Sequence, residues 1–326
     1  PQQELGPDLL QDMIKHTAMA PIHRFRAIEE VLAAEFRGDR VSDGFHVQFD
    51  RELQMTEARV LEHSTLQYGG GQKVTGQQIR NGSWNLQGGT KFNKSARSKG
   101  WALVSCVPGT EIHALDEFVT TFKRIAREKG MDLETFVPLG PNGFLDATHA
   151  IRNHSLESFL NGAVHNLDKP IDLLVCAVGD RPGENGIYIY PALKRWSHTM
   201  SGIPHQCVQV SKALKPTNKD LKQMAGDPQY HAGLLMKVNL KLGGENQYTL
   251  SPGHPDGLAI MDHPGGTMVC GLDVHHAAPG KQSSSFAAVF ATLDPRCVVP
   301  RTRSSISRCL IASKSSTTCR SSSTTW

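Results

Sequence analysis

The sequence contains no long hydrophobic run. Of its 326 residues 39% are hydrophobic and 6% are aromatic, and no stretch approaches the roughly 18 consecutive apolar residues that a membrane-spanning helix needs. The N-terminus also lacks the charged and then apolar order of a signal peptide. These absences argue against a membrane protein and against a secreted one. They favour a soluble protein of the cytoplasm, with the nucleus as the alternative.

Paired cysteines are missing as well. The seven cysteines are widely spaced, odd in number and never arranged as C-x-x-C. We expect them to be reduced thiols in the core or at the surface. The chain begins with Pro1 rather than methionine, so the sequence predicts a piece of a longer protein, with room for two or three globular domains.

Acidic residues are scarce in two segments. Between Tyr190 and Lys241 eight basic residues stand against two acidic ones, and from Pro295 onward there are six basic residues and no acidic one. Because the whole chain carries only +4, the remainder carries −8. Positive charge concentrated in this way indicates a polyanion as partner, although a solvated lysine face would give the same count.

The pattern of the sequence changes along the chain. Helices and short strands typical of a connecting segment come first, and alternating helices and buried strands follow. Two helices are predicted within residues 8–36, and strands are predicted at residues 45–49, 58–61, 84–86 and 101–107. Beyond residue 111 the predicted elements are a helix closed by Gly130, a helix at 155–163, a strand at 171–178, a helix at 192–200 and a strand at 207–210. The continuously apolar strand at 171–178 is typical of parallel sheets, which are buried on both faces, so an α/β fold with a doubly wound domain is predicted.

Two pairs of residues spaced four apart stand out in the basic segment. Pro191 suits the first position of a helix, which would place Tyr190 and Lys194 at a helix N-terminus beside the carboxyl ends of the strands, where anions bind. A lysine there opposes the helix dipole. Lys237 and Lys241 put like charges on one face of another helix. Two unfavourable lysine placements together predict a shared dianion.

The chain around these residues resembles the Argonaute family. The similarity lies in Tyr190-Pro-Ala-Leu-Lys194-Arg195, in Gln206-Cys-Val-Gln209 and in Lys237-Val-Asn-Leu-Lys241-Leu-Gly-Gly244. In that family this order marks the MID domain, which binds the 5′ monophosphate of a guide RNA, and its junction with the PIWI domain. The resemblance implies that Tyr190 stacks on the first base and that the phosphate is contacted by Lys194, Gln206, Lys237 and Lys241. Gln206 has a plainer alternative, since a glutamine before a buried strand can serve only backbone groups.

The same resemblance divides the chain into four parts. Residues 1–105 correspond to linker 2 with at most the end of the PAZ domain, residues 106–225 to a Rossmann-like MID domain, residues 226–294 to the truncated start of PIWI, and residues 295–326 to a disordered tail. The fold class implied is therefore α/β, with a mixed α+β linker before the doubly wound domain and the first hairpin of an RNase H-like domain after it. The loop that discriminates the first base would correspond to residues 179–186.

Cleavage by the family requires ligands that this chain does not supply in the expected place. Residues 271–276 resemble the first PIWI strand, residues 285–291 its antiparallel partner, and Asp273 the first metal-binding carboxylate of the catalytic site. Phosphodiester cleavage needs further ligands for paired Mg²⁺ ions, and these would lie beyond residue 294, where 14 of the last 26 residues are Ser or Thr. No cofactor is expected for this chain, and Mg²⁺ is expected only in full-length members of the family.

The sequence therefore predicts guide small-RNA binding through the 5′ monophosphate in RNA-mediated silencing, without cleavage. Two alternatives stay open: an RNA-guided endoribonuclease in the full-length parent, and a protein-interaction fragment with an incomplete RNA pocket. The expected partners are an siRNA-like or miRNA-like guide and, through it, a target RNA, with silencing-complex proteins as further partners and no membrane. A frame shift or unusual splice, or else a genuine regulatory tail, would explain the change after Asp294.

A zinc site is a further alternative that the sequence does not favour. Four histidines lie close together in the chain, with two aspartates nearby: His254, His263, His275 and His276. Their spacing matches no closed tetrahedral zinc motif. We expect ordinary surface or core histidines.

Overall fold

The computed structural model describes ten stretches of the chain: residues 7–35, 44–46, 54–79, 82–86, 89–179, 186–214, 227–254, 257–275, 285–292 and 310–312. The helices are α1 Pro7–Thr17, α2 Pro21–Glu35, α3 Ile112–Glu128, α4 Thr148–Arg152, α5 Leu156–His165, α6 Gly186–Arg195, α7 Val210–Ala213 and α8 Pro228–Lys241. The strands are β1 Thr65–Gln67, β2 Lys73–Val74, β3 Trp101–Ser105, β4 Leu145–Asp146, β5 Leu173–Val178, β6 His205–Gln209, β7 Tyr248–Leu250, β8 Cys270–His275, β9 Ser285–Ala291 and β10 Leu310–Ala312. None of the helices in these stretches combines the length and apolar character needed to cross a bilayer.

The chain forms two compact units, and the first comprises Pro1–Leu61. Its two helices, α1 and α2, confirm the helical periodicity of residues 8–36. The strand predicted at 58–61 is wrong: these residues form no strand, and Val60 is 95% exposed. An alternating pattern becomes a strand only where a neighbouring strand pairs with it and buries one face. Of the strand predicted at 45–49, residues 45 and 46 form a turn and the rest lies outside the described residues.

The second unit, Glu62–Trp326, is built on a four-stranded parallel sheet. Its order is β4-β3-β5-β6, with Trp101 opposite Leu173 and Cys176 opposite Cys207. The chain starts in β3, moves to one side and then crosses to the other, which is the winding of a doubly wound α/β domain. The predicted strands at 101–107, 171–178 and 207–210 are confirmed with shifts of a few residues at their ends.

Both faces of the central strands are buried, because successive side chains point to opposite sides. On one face Leu103 and Val175 join the core under α3 and α8, to which Phe122 and Leu235 contribute. On the other face the alternate residues of the strands pack with the buried side chains of α4, α5 and α6: Ala102, Val104, Leu174, Cys176, Ile151, Leu160, Leu193 and Trp196. The apolar stripe predicted after residue 111 is therefore α3, and Gly130, with φ of +83°, ends it as predicted.

The described contacts make this packing unit wider than residues 106–225. β3 is a central strand of the sheet, although residues up to 105 were expected in the linker, and α8 packs against α3 in the same core. The predicted strand at 84–86 is wrong, because Trp84 to Leu86 join no ladder. β1, β2 and β7 form a small antiparallel sheet of their own.

A separate antiparallel sheet has the order β10-β9-β8. β8 and β9 form the expected strand pair, with Asp273 opposite Ala288. The prediction of a disordered tail is wrong at Leu310–Ala312, which pairs with β9. Leu310, Ile311 and Ala312 form a short apolar run inside the Ser/Thr-rich segment, and such a run can extend a sheet edge. The rest of the tail lies outside the described residues.

One buried amide ties α8 to the connector. Asn239 is fully buried, its Oδ1 accepts a 2.7 Å hydrogen bond from the Ala96 N–H, and its Nδ2 donates to the Lys94 carbonyl at 3.2 Å and to Asn246 Oδ1 at 3.0 Å. Gly244 packs directly on it, since a Cβ at Gly244 would lie 2.2 Å from Asn239 Oδ1. This network holds the end of α8 against residues 94–96.

We expect Asn239→Ala to lower the free energy of unfolding by about 2 to 4 kcal/mol, because several buried polar groups lose their partners at once. Asn166→Ala is the matched control, since Asn166 is exposed at the end of α5. Urea unfolding of the two variants and the unchanged chain measures the difference. Equal losses at the two positions would contradict the assigned role of the network.

Candidate functional site

The helix that carries Tyr190 and Lys194 begins earlier than the sequence suggested. α6 starts at Gly186 and holds Pro191 in its interior, and a π-helical turn, Trp196–Ser201, continues it. Ile189 is 3% exposed and Leu193 is fully buried, so one apolar face runs past Pro191 and the helical period starts before it. The predicted start after Pro191 is wrong.

This shift places the site at the amino ends of the strands rather than at their carboxyl ends. Lys194 lies well after the first turn of α6, and the π-helical turn continues the helix beyond it, so the expected conflict with a helix N-terminus is absent. Gln206 is the second residue of β6 and therefore lies at the amino end of that strand. The expectation of a site at the carboxyl ends of the strands is wrong for this reason.

Tyr190 and Lys194 contact each other, as their spacing predicts. The Lys194 Nζ lies 5.6 Å from the centroid of the Tyr190 ring, within the range of a cation–π interaction. Tyr190 is 52% exposed, and its ring meets His205 edge-on at a centroid distance of 6.3 Å. The aromatic ring is thus accessible and held from two sides.

Lys241 joins the last turn of α8 to the start of β6. Its Nζ donates a short hydrogen bond to the His205 carbonyl and a 2.9 Å hydrogen bond to Gln206 Oε1. The Gln206 Nε2 in turn donates to the Cys207 carbonyl at 2.8 Å. Gln206 therefore satisfies a backbone group, as the plainer alternative predicts, and it also accepts a hydrogen bond from Lys241. Its contact with a phosphate stays a prediction.

The lysines are close enough to influence one another. Burial has the largest effect on Lys241 and lowers its pKa. The neighbouring Cys207 raises the pKa, the charges of Lys194 and Lys237 lower it further, and Cys176 raises it slightly. The structure thus places Tyr190, Lys194, Gln206 and Lys241 around the amino end of β6. Lys237 is exposed on α8, one turn before Lys241.

Two histidines in this cluster were missed by the sequence reasoning. Burial lowers the pKa of His205 to about 4, with further contributions from Lys241, Lys194 and His198. Burial also lowers the pKa of His198, and Lys194 and Lys241 add to this effect. A signal for His198 was available, because Tyr190, Lys194 and His198 follow one another at four-residue steps.

The residues considered for metal binding form no cluster within the described part of the chain, and His276 lies outside it. Among the residues that the structure describes, no group of three His, Cys, Asp or Glu side chains is arranged to hold an ion. His254 Nδ1 pairs with Asp262 Oδ2 at 2.6 Å, and His263 Nδ1 accepts a hydrogen bond from the Gly265 N–H at 3.1 Å. Asp273 is exposed in β8. His254 and His263 are therefore engaged in local contacts. Asp273 has no group of neighbouring ligands among the described residues.

A cleft of about 650 Å³ lies elsewhere in the second unit, between β2 and residues 83–90. Trp84 and Tyr68 line it and are joined by a 2.8 Å hydrogen bond from the indole Nε1 to the phenolic oxygen. No chemical constellation was predicted in this connector, and the polar lining includes the amides of Gln72, Gln77, Gln78 and Asn85. Lys73 contributes a single cation.

The buried His205 predicts an acid-sensitive fold. Its pKa is about 4 in the folded chain and about 6.5 in the unfolded chain, so between these values the unfolded chain binds more protons and stability falls as the pH falls. Full protonation costs about 3 kcal/mol. We expect His205→Ser to flatten the dependence of the urea midpoint between about pH 6.5 and 4. His165→Ser, at an exposed position ending α5, should leave the slope unchanged, and a similar slope in all three chains would contradict the assignment.

The comparisons with known proteins agree on one family. A family model described as Piwi domain matches residues 182–308, which begins before the predicted boundary at residue 226 and ends within the tail. The argonaute protein of Schizosaccharomyces pombe is 26% identical over 305 residues, covering 89% of this chain and 32% of the relative. Argonaute 5 of Arabidopsis thaliana is 28% identical over 283 residues, covering 86% of this chain and 26% of the relative.

A solved structure is similar as well. The MID-PIWI domains of the N. crassa Argonaute QDE-2 share 17% identity with a TM-score of 0.45, over 68% of this chain and 53% of that one. The chain spans about a third or less of the length of the curated relatives that it matches. The Piwi domain match and these relatives, which are named as argonaute proteins, agree with the resemblance of the motifs, so the chain is similar to Argonaute proteins.

Proposed function

We propose that this chain holds the 5′ monophosphate of a guide small RNA in RNA-mediated silencing, without cleaving RNA itself. The observation that carries the proposal is the contact of Lys241 with His205 and Gln206 at the amino end of β6, next to the accessible ring of Tyr190, over which Lys194 lies. Lys237 lies one helical turn before Lys241 on α8. Three like charges raise one another's energy unless an anion joins them. A terminal phosphate carries close to two negative charges at neutral pH and is the matching partner.

The present partners of the lysines are weaker than a phosphate would be. Lys241 donates to the neutral oxygens of His205 and Gln206, and Lys194 lies against the Tyr190 ring. A phosphate adds the attraction between opposite charges, which a neutral oxygen and an aromatic face lack. A phosphate can therefore replace these contacts with a gain in energy, and Gln206 keeps Lys241 oriented towards the same place.

Tyr190 supplies the second half of the site. Its ring is about half exposed, and Lys194 is the cation that now lies over it. When the phosphate attracts Lys194, a face of the ring becomes accessible to the first base. Stacking of a base on an aromatic side chain contributes about 1 to 3 kcal/mol and makes little demand on base identity. The loop 179–186, expected to choose the base, lies almost entirely outside the described residues.

Cleavage is assigned to the full-length parent rather than to this chain. Paired Mg²⁺ ions require several carboxylate or histidine ligands around one point, whereas Asp273 faces Ala288 across the ladder and joins no group of potential ligands among the described residues. The described residues therefore do not fit a two-metal centre. Residues 106–225 are proposed as the MID domain and residues 226–294 as the start of PIWI.

The proposed partners follow from the family. They are a guide RNA, the target RNA that pairs with it, and proteins of a silencing complex. We place the chain in the cytoplasm, with the nucleus as the alternative. A protein-interaction fragment with an incomplete pocket is the competing proposal, and the binding measurement below separates the two.

We expect the chain to bind a 21-nucleotide RNA with a 5′ phosphate at least about tenfold more tightly than the same RNA with a 5′ hydroxyl, because only the phosphate neutralises the lysine cluster. Fluorescence anisotropy with a 3′ label at fixed salt measures both affinities. Equal affinity would exclude the phosphate site and favour the interaction fragment. Cleavage of a complementary RNA in the presence of Mg²⁺ would exclude the non-cleaving assignment.

A charge reversal within the cluster should act on the phosphate and not on RNA in general. We expect Lys237→Glu to lower the preference for the 5′ phosphate by about tenfold or more, since an acid then lies one turn from Lys241. Lys212→Glu is the matched control, because Lys212 is exposed in α7 within the same basic segment. It should weaken both RNAs slightly and equally. If both variants lower both affinities alike, the attraction is diffuse.

A further inference from the structure

The π-helical turn after α6 carries a titratable side chain that the proposed site does not yet use. Trp196 and Ser197 are buried, and the Ser197 hydroxyl donates to the Ile203 carbonyl at 2.7 Å. The next residue, His198, is exposed. The turn is thus anchored on one side to the core and presents the imidazole on the other.

The imidazole continues the line of Tyr190 and Lys194. The three residues follow at four-residue steps along α6 and the turn, which places them on one face of the helical segment. Lys194 lies over the Tyr190 ring, and the His205 ring meets Tyr190 from β6. His198 therefore borders the surface on which the phosphate is proposed to bind.

We propose that His198 is a further phosphate-contacting residue of the site, and that it takes up a proton when the 5′ phosphate of the RNA binds. The inference rests on the proposed function. An imidazole that stays neutral beside two lysines becomes an imidazolium once a dianion neutralises them, and it then donates a charge-assisted hydrogen bond to a phosphate oxygen. The proton comes from the solvent, and no covalent bond changes.

The charged groups around His198 support this direction. Lys194 precedes His198 by four residues on the same helical segment. The charge of Lys241 on α8 also lowers the pKa of His198, and His198 in turn lowers the pKa of His205 on β6. On the side of α5, Glu157 pairs with Arg195 at 2.5 Å, so that carboxylate is already neutralised. In the free chain these surroundings and burial lower the pKa of His198, and a bound dianion raises it.

The sign of the pH dependence follows. Between the lowered pKa of the free chain and the raised pKa of the complex, binding takes up a proton, so affinity for the phosphate rises as the pH falls. The RNA phosphate has its own second pKa near 6 and loses a charge below it. That loss weakens binding in every variant alike, so comparison between variants isolates the contribution of His198.

The test compares three chains at about pH 8 and about pH 6.5, with 5′-phosphate and 5′-hydroxyl forms of one RNA. We expect His198→Asn, which can donate but not gain charge, to reduce the phosphate preference by about threefold to tenfold at the lower pH and little at the higher. His198→Lys should restore the preference and leave only the pH dependence that the phosphate itself causes. His165→Asn, at an exposed position ending α5, is the matched control.

Calorimetry in two buffers of different ionisation enthalpy gives the number of protons taken up on binding. The unchanged chain should take up more protons than His198→Asn. If it prefers the 5′ phosphate but the two chains share one pH profile and one proton count, the role of His198 is overturned while the proposed function stands. If it shows no phosphate preference at either pH, the proposed function itself fails. Unfolding midpoints of all variants exclude loss of folding as the cause.

Discussion

The burial of β3 and β5 on both faces is the constraint on which the rest of the second unit depends. With helices packed on each side, the central strands have room only for apolar side chains, and a charge there would have to be desolvated without a partner. Charged and polar groups are therefore displaced to the ends of strands and helices. The lysine cluster occupies such a place, where β6 begins and both α6 and α8 end.

The geometry at this edge combines favourable and unfavourable electrostatics. Lys194 and Lys241 both lie at this edge, and Lys241 complements the dipole of α8, whose last turn it occupies. The same arrangement crowds them with Lys237 and holds two neighbouring imidazoles in the neutral state. A site of this kind contributes little to the stability of the free chain, and the repulsion between its charges is relieved when an anion binds. That division is common where residues are retained for binding rather than for folding.

The α/β architecture and the site residues could be predicted from the sequence to different degrees. The strand at 171–178 and the helix of Lys237 and Lys241 were predictable, because continuous apolar character and helical spacing are strong local signals. The start of α6 was not, because Pro191 marks a helix start in most contexts and tertiary packing of Ile189 overrides it here.

The contact of Lys241 with His205 joins distant parts of the chain, and no local pattern encodes it. His198 was visible as a repeat of four but lacked a chemical reason until the lysines were placed around it.

The sequence Lys241-Leu-Gly-Gly244 combines two independent requirements. Lys241 extends to the edge of β6, whereas Gly244 is needed because the amide of Asn239 leaves no space for a side chain. The glycine of this motif therefore indicates that α8 is correctly packed, and only the lysine bears on ligand binding. A fragment or a diverged relative can lose its RNA and still keep the glycine under selection for folding. A match of this motif at the glycine therefore indicates shared packing, whereas a match at the lysine has to be examined separately as evidence of ligand binding.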